Sequence, residues 1–425
     1  MKREDNITHK IDWVAVSIYF AIVFLGWLNI YAVTYDKNVS TSIFSLDLNS
    51  GRQLLFIAGS LLIILAILII DRQFYETFAY IMYGALLLTL LVVPVIGKEV
   101  GGNKAWLGIG SFGVQPSEFA KFATALAVAK FIGTIGFRMD NFRIQLILFA
   151  LIGAPILLVL LQKDYGTAMV FLVFLIVFYR EGMSSFLLLV GIGVAVIFIM
   201  TLLVDNNWIL YGTIGGFWVL LMFYNRRKKI KRLAIISAGA LVLAFTITSV
   251  DFIFNNLLEE HHQKRIVAML NPDADPLGYG WNVTQSKIAI GSGGFLGKGF
   301  LEGTQTKFDF VPEQSTDFIF CTIGEEHGWI GSLFTIALFM LLLLRVVFLA
   351  ERQKNKFARV YGYSVACILF FHFAVNIGMT IGLFPVIGIP LPFFSYGGSS
   401  LWGFTILLFI FLKLDAHRMQ VLQRL

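Results

Sequence analysis

The sequence predicts an all-α polytopic membrane protein with about 12 transmembrane helices. Two observations support this fold class. Hydrophobic residues make up 58% of the chain and charged residues only 14%, which is far from the composition of soluble domains. The apolar residues also fall into successive runs of about 20, a length that crosses the bilayer core as a helix. We therefore expect one integral membrane domain over residues 1–425.

The apolar runs can be placed in order along the chain. The first, Trp13–Val33, is too long for a signal peptide and has no small-residue cleavage site, so we interpret it as a spanning helix. The candidate helices cover residues 12–33, 52–70, 74–96, 117–135, 143–161, 166–180, 184–204, 207–224, 232–252, 317–348, 358–383 and 397–413. One long polar segment, residues 253–316, separates the ninth run from the tenth. A loop of this length usually carries function.

The charges predict an orientation. If the N-terminus is cytoplasmic, roughly two thirds of the 33 Lys and Arg residues fall on the inner segments, as the positive-inside rule requires. Both termini are then cytoplasmic and the loop over 253–316 is extracytoplasmic. The basic run Arg226–Arg232 faces the cytoplasm, where anionic membrane lipids would hold it. The net charge of +7 therefore reflects topology, and we expect no nucleic-acid partner.

Several chemistries are disfavoured by residue spacing. The glycine-rich stretch 291–299 is not a P-loop, because the required glycine and hydroxyl positions hold Ser292 and Gly299. His261 and His262 are adjacent and lack the i, i+4 spacing of a helical metal pair. The stretch 291–299 is then a hinge or a phosphate cradle, and we favour the hinge.

Polar residues at two helix starts are candidates for a site. Pro116 suits a first helical turn, and Glu118 and Lys121 share a helix face because they are three residues apart. An ion pair inside a spanning helix is costly unless it serves a site or a partner helix. The pair is therefore either a structural lock or the wall of a polar cavity. Asp164 precedes the candidate helix at 166–180, and it is equally consistent with a helix cap and with a cavity acid.

The long loop carries the most specific pattern. Residues 271–320 contain NP..DPLG.G....QSKIAIGSGG..GKG...GTQ....F.PE..TDFIF. Two further pieces agree: Trp106-Leu107 with Gln115–Lys121, and Pro385–Pro392 followed by Ser395-Tyr-Gly-Gly398. Together these motifs resemble the SEDS (shape, elongation, division and sporulation) family, in its rod-shape-determining (RodA) branch. The resemblance covers nearly the whole chain.

The resemblance implies an arrangement and a location. Members of the family usually have ten spanning helices, so the surplus here is an inserted pair at approximately 207–252, although the other helices between 184 and 252 are alternatives. The family acts in the bacterial inner membrane. Its members work with a class B penicillin-binding protein as transpeptidase and with other membrane proteins of the elongation complex.

The resemblance also implies the reaction. An extracytoplasmic site has no nucleotide supply, so the energy must arrive on the substrate, and the family's substrate is lipid II. The expected reaction is peptidoglycan glycan-strand polymerisation with undecaprenyl pyrophosphate as leaving group. An inverting transfer of this kind needs one general base. The resemblance assigns that role to Asp275; a turn-capping role for Asp275, or Asp273 as the base, are the alternatives.

The remaining candidates would bind substrate or line the cavity. Positive charge must stabilise the leaving pyrophosphate, from lysines or from a divalent cation such as Mg²⁺ or Mn²⁺. No cofactor beyond this is expected. The candidates are Lys104, Trp106, Glu118, Lys121, Asp164, Lys287, Lys298 and Ser395. Two positions depart from the family: Ala105 replaces a frequent Arg, and His327 follows Glu325-Glu326 in place of Leu.

Two functions of other classes stay open. Twelve helices with polar intramembrane residues would also suit a flippase for a lipid-linked cell-wall precursor. A non-catalytic scaffold that recruits a transpeptidase is the second alternative. Substitution of Asp275 distinguishes the polymerase from both alternatives, because neither a flippase nor a scaffold uses that carboxylate in catalysis.

Overall fold

The computed structural model confirms an all-α membrane fold. It describes residues 10–35, 42–100, 103–109, 112–134, 136–204, 206–226, 230–256, 279–307 and 310–418. The helices of the first part are α1 (Trp13–Thr34), α2 (Asn49–Ile69), α3 (Arg72–Thr77), α4 (Ala79–Ile96), α5 (Pro116–Ile132), α6 (Phe142–Leu160), α7 (Tyr165–Val170) and α8 (Phe174–Arg180). Those of the second part are α9 (Ser185–Leu203), α10 (Asn207–Asn225), α11 (Ile230–Asn256), α12 (Tyr279–Ser292), α13 (Ile319–Glu351), α14 (Lys356–Thr380) and α15 (Gly398–Ala416).

Each of the 12 predicted apolar runs contains a helix. Within the described residues, nine helices are long and apolar enough to cross a membrane. The three other runs hold α5, α9 and the pair α7–α8, which a short 3₁₀ turn at Phe171–Val173 joins. The structure is consistent with twelve spans. The helix α12 lies in the long polar segment, in which the sequence predicts a short amphipathic helix only over 257–270, a stretch outside the described residues.

The chain divides into two compact units. The first comprises Met1–Glu181 and Asn282–Leu425, and the second comprises Gly182–Trp281. The predicted inserted pair corresponds to α10 and α11, which share the second unit with α9. Within that unit, Tyr211 on α10 is hydrogen-bonded to Thr248 on α11 at 2.9 Å.

The first unit is built around α5, α14 and α15. Helix α5 packs against both α14 and α15, and nearly all residues of α15 are buried. Small residues permit this close approach: α5 carries buried Ala120, Ala123, Ala125, Ala127 and Ala129. This packing brings Lys121 of α5 beside His372 of α14 and Phe404 of α15.

A small antiparallel sheet precedes α5. Strands β1 (Lys98–Val100), β2 (Asn103–Ile109) and β3 (Phe112–Val114) pair in the order β1-β2-β3. The register places Leu107 opposite Val114, and β3 leads directly into Gln115, the N-cap residue of α5. This sheet is not predictable from the sequence, because its strands are short and carry no sustained alternation of apolar and polar residues.

Helix α13 is interrupted near its start. Gly328 has φ 62° and ψ −154°, which is outside the helical region and favours glycine. The turn before this position carries Glu325 and Glu326, and the apolar span follows it. The segment Gly294–Gly297 packs at the interruption, since the amides of Trp329 and Ile330 donate to the carbonyls of Gly294 and Phe295.

Candidate functional site

A buried ionic cluster lies at the start of α5. The Nζ of Lys121 is 2.7 Å from Oε2 of Glu118, and both residues are almost fully buried. The same Nζ lies 3.1 Å from Nε2 of His372 on α14 and 4.3 Å from the ring centre of Phe404 on α15. A buried charge is tolerated only when paired and hydrogen-bonded, and here the partners come from three helices.

The contacts of His372 fix its tautomer. A lysine ammonium donates and cannot accept, so Nε2 of His372 accepts from Lys121. The Nδ1–H then donates to the carbonyl of Pro390, 3.1 Å away. His372 thereby connects the ionic cluster to the proline-rich loop over residues 385–392, which follows α14. His372 is not among the residues predicted from the sequence, in which its only signal is a histidine inside an apolar span.

A second polar group adjoins the first. The side-chain amide of Gln115 donates to Oδ2 of Asp164 at 2.7 Å, and its backbone N–H donates to Oγ of Ser399 at 3.1 Å. The other oxygen of Asp164 accepts from the amide of Thr167 at 3.0 Å, so Asp164 caps α7. Burial raises the pKa of Asp164, although its hydrogen bonds to Thr167 oppose the shift. Asp164 thus caps α7 and also faces the buried ionic cluster at the start of α5.

Trp106 and Lys104 lie on β2. The indole of Trp106 packs over Gly113 of the neighbouring strand and is partly exposed. Lys104 is exposed, and its Nζ donates to the carbonyl of Val95 at 3.3 Å. The intervening Ala105 is buried. The sheet therefore presents Trp106 close to where α5 begins.

Ser395 is engaged within the protein. Its hydroxyl donates to the carbonyl of Thr316 at 2.6 Å and accepts from the amide of Leu391 at 2.9 Å. These bonds close the turn after the proline-rich loop and fasten it to the start of α13. Contact of Ser395 with substrate stays a prediction.

Lys298 belongs to a carboxylate-centred loop. Its Nζ is 2.6 Å from Oε1 of the fully buried Glu325. The backbone amides of Thr304, Gln305 and Thr306 donate to the same carboxylate at 2.8–3.0 Å. Glu325 therefore organises the loop around itself, and Lys298 neutralises it.

Lys287 lies on α12, against the end of α14. The end of its side chain packs over Gly382. The neighbouring hydroxyl of Ser286 donates to the carbonyl of Thr380 at 2.8 Å. The proposed base Asp275 and its alternative Asp273 lie outside the described residues. Among the described residues, no group of three His, Cys, Asp or Glu side chains could hold a metal ion.

The helices and the buried ionic cluster define a multi-pass membrane protein with a polar centre. The family model for FtsW, RodA and SpoVE, described as "Cell cycle protein", matches residues 12–210 and 212–420. The chain therefore belongs to this family.

Individual relatives agree with this assignment. The peptidoglycan glycosyltransferase MrdB of Escherichia coli (strain K12) is 36% identical over 348 residues, which cover 81% of this chain and 80% of MrdB. The peptidoglycan glycosyltransferase RodA of Treponema pallidum (strain Nichols) is 28% identical over 440 residues, covering 96% and 98%.

Solved structures share the fold. A chain from a study of polymerization and crosslinking by a peptidoglycan synthase complex has a TM-score of 0.69 at 26% identity and covers 96% of this chain and 99% of its own length. RodA of Thermus thermophilus has a TM-score of 0.60 at 25% identity, covering 96% and 97%.

Proposed function

We propose that this chain polymerises lipid II into peptidoglycan glycan strands during cell elongation. The chain is a peptidoglycan glycosyltransferase, as family membership and the names of MrdB and RodA indicate. The family match over nearly the whole chain carries this conclusion. The acting site is proposed to lie on the extracytoplasmic side of the bacterial inner membrane.

The proposed chemistry is a single displacement at the anomeric carbon. Asp275 removes the proton from the acceptor 4-hydroxyl as the new glycosidic bond forms, and undecaprenyl pyrophosphate leaves from the opposite face. An unperturbed Asp has a pKa of about 3.9, so its carboxylate is ionised at neutral pH and ready to act as a base.

Positive charge is proposed to stabilise the leaving pyrophosphate. Lys287 and Lys298 both belong to the long polar segment 253–316. Lys298 is already paired with Glu325. A divalent cation, Mg²⁺ or Mn²⁺, would supply further charge. Removal of divalent cations with EDTA, followed by titration with each metal, measures how much of the rate depends on them.

The α5 cluster is proposed to form the polar wall of the substrate cavity. Ser117, Lys121 and Thr124 share one face of α5. The hydroxyl oxygens of Ser117 and Thr124 are buried and have no hydrogen-bond partner among the described residues. The cavity role of Glu118, Lys121, Asp164 and Trp106 rests on this arrangement and on the family motif.

A transpeptidase partner is proposed from the relatives. One similar chain comes from a complex that coordinates polymerization with crosslinking. A class B penicillin-binding protein would supply crosslinking here, together with other membrane proteins of the elongation complex.

The deciding experiment compares Asp275→Asn with wild type. The full chain is purified with its transpeptidase and incubated with lipid II and a divalent cation, and glycan strands are separated by gel electrophoresis. Asp273→Asn is the matched control, two residues away in the same turn. We expect strands from wild type and Asp273→Asn, and none from Asp275→Asn at equal partner binding.

Other outcomes point elsewhere. Strands from Asp275→Asn would remove that residue as the base, and loss in Asp273→Asn alone would transfer the role. If no protein makes strands, transport of lipid II across liposome membranes tests the flippase function.

A further inference from the structure

The second unit contains a large apolar cavity among α9, α10 and α11. Its volume is about 780 Å³, within the range of about 300–1,000 Å³ that is typical of ligand pockets. The lining includes Leu189, Ile197, Phe217, Leu221 and Leu243. Such a lining favours a hydrocarbon ligand.

The few polar groups in the wall are already engaged. The hydroxyl of Thr213 donates to the carbonyl of Leu210 at 2.8 Å, and the indole N–H of Trp218 donates to Oγ of Ser237 at 3.2 Å. A ligand in this cavity therefore gains apolar contact and no new hydrogen bond from these groups. A hydrocarbon tail meets that condition, and a polar head does not.

The cavity extends from the middle of the three helices toward one end of the unit. Its lining residues lie between Phe186 and Ile197 on α9, between Thr213 and Leu221 on α10 and between Ile236 and Leu243 on α11. That end is where α10 finishes at Asn225 and α11 starts at Ile230. Leu221 precedes Arg226 by about one and a half helical turns, and Ile236 follows Arg232 by about one turn.

The same end carries concentrated positive charge. Residues 226–232 read Arg-Arg-Lys-Lys-Ile-Lys-Arg, whereas residues 182–204 and 206–250 contain no Asp or Glu. Arg226 and Arg232 are both exposed, and the guanidinium of Arg226 lies 4.5 Å from the ring centre of Phe223. Within α9–α11 the sequence places the one acidic residue, Asp251, near the opposite end of α11, so these helices supply no counter-ion at the end that carries Arg226 and Arg232.

We propose that the second unit binds an anionic phospholipid, with its acyl chains in the cavity and its headgroup at Arg226 and Arg232. The spacing of about one to two turns between the basic residues and the apolar wall matches the order of head and tail in a phospholipid. The headgroup phosphate supplies negative charge at the end where these helices carry no acidic residue.

Quenching of Trp218 by brominated lipids tests the proposal, because bromine quenches only fluorophores that it touches. Wild type and Trp218→Phe are reconstituted into phosphatidylcholine vesicles that contain a minor fraction of brominated phosphatidylglycerol or of brominated phosphatidylcholine. The difference between the two proteins isolates the signal of Trp218. We expect the phosphatidylglycerol to quench it several-fold more effectively.

Two sets of variants separate the tail from the headgroup. Ala240→Phe places a ring in part of the cavity and reduces quenching of Trp218, whereas Ala238→Phe, at an exposed position on the same helix, leaves it unchanged. The double variant Arg226→Gln/Arg232→Gln leaves the cavity open and removes the preference for phosphatidylglycerol. Size-exclusion profiles verify that each variant is folded.

Two results would overturn the proposal. Equal quenching of Trp218 by both lipids would show a cavity that takes any acyl chain. Absence of quenching, while other tryptophans in the same sample respond, would show that a polyprenyl chain, a partner helix or no lipid occupies the space.

Discussion

At the scale of single residues, the ammonium of Lys121 is shared between acceptors on two helices. Glu118 lies on the same helix at 2.7 Å, and His372 lies on α14 at 3.1 Å. Removal of one member of a buried charged pair leaves the other without compensation. Glu118 and Lys121 are also proposed to line the substrate cavity. A substitution of both residues can therefore restore stability without restoring activity.

Substitution Lys121→Met is expected to destabilise the protein by about 3–5 kcal/mol, because the carboxylate of Glu118 stays buried without its partner. The double variant Glu118→Gln/Lys121→Met should regain much of that loss. Thermal unfolding in detergent measures both. Polymerisation should be lost in both variants, and strand synthesis by the double variant would contradict a functional role for the pair.

His372 is expected to position Lys121 through its second nitrogen. The side chain of Asn can replace the Nδ1–H donor to Pro390 and cannot reach Lys121, whereas Phe replaces neither contact. We expect His372→Asn to keep a melting temperature close to wild type and to lose most of its turnover. His372→Phe should lose both. Equal turnover in His372→Asn and wild type would show that the contact with Lys121 is dispensable.

At the scale of elements, local pairs could be predicted and distant ones could not. The three-residue spacing of Glu118 and Lys121 is by itself enough to put both on one helix face. The partner His372 is 251 positions away in sequence, and no local pattern connects it to Lys121. The twelve apolar runs gave helices because spanning length is set by the bilayer. The sheet β1–β3 depends on hydrogen bonds between short strands, which composition does not reveal.

The loop around Glu325 offers a test at this scale. Glu325→Gln places a donor group among the amides of Thr304–Thr306, which are themselves donors. We expect faster hydrogen exchange in residues 298–307 and a loss of about 1–3 kcal/mol, the cost of unsatisfied buried groups.

Glu326→Gln is the matched control for that experiment. The carboxylate oxygens of Glu326 make no hydrogen bond of good geometry in the described ranges and interact only weakly with the amides of Leu301 and Gly303, so the amide should raise exchange in 298–307 much less than Glu325→Gln does. Equal exchange in both variants would mean that Glu325 does not hold the loop.

At the scale of the whole molecule, the twelve spans that the sequence predicts would put both termini and every second connection on one side of the membrane. The bias of Lys and Arg predicts that this side is the cytoplasm. The connection after α1 and the connection after α10 should therefore face opposite compartments. Asp47 and Arg226 are exposed positions in these two segments.

Labelling with a membrane-impermeant maleimide tests this topology in intact spheroplasts. Asp47→Cys should react, and Arg226→Cys should react only after permeabilisation. Wild type provides the background, because Cys321 is buried and Cys367 lies within α14. Reaction of both variants in intact spheroplasts would contradict the predicted placement of these two connections on opposite sides.

The interruption of α13 limits which mutations the gene can tolerate at two glycines. Gly297 and Gly328 approach each other so closely that a Cβ on Gly328 would meet the backbone nitrogen of Gly297, and a Cβ on Gly297 would meet the carbonyl of Glu326. Both have positive φ angles, 84° and 62°. Because backbone atoms stand in the way, no second substitution nearby can make room. Mutations that replace either glycine should therefore be eliminated by selection as long as the loop crosses the helix here. Gly216 on α10, with open space around it, can be replaced by other residues.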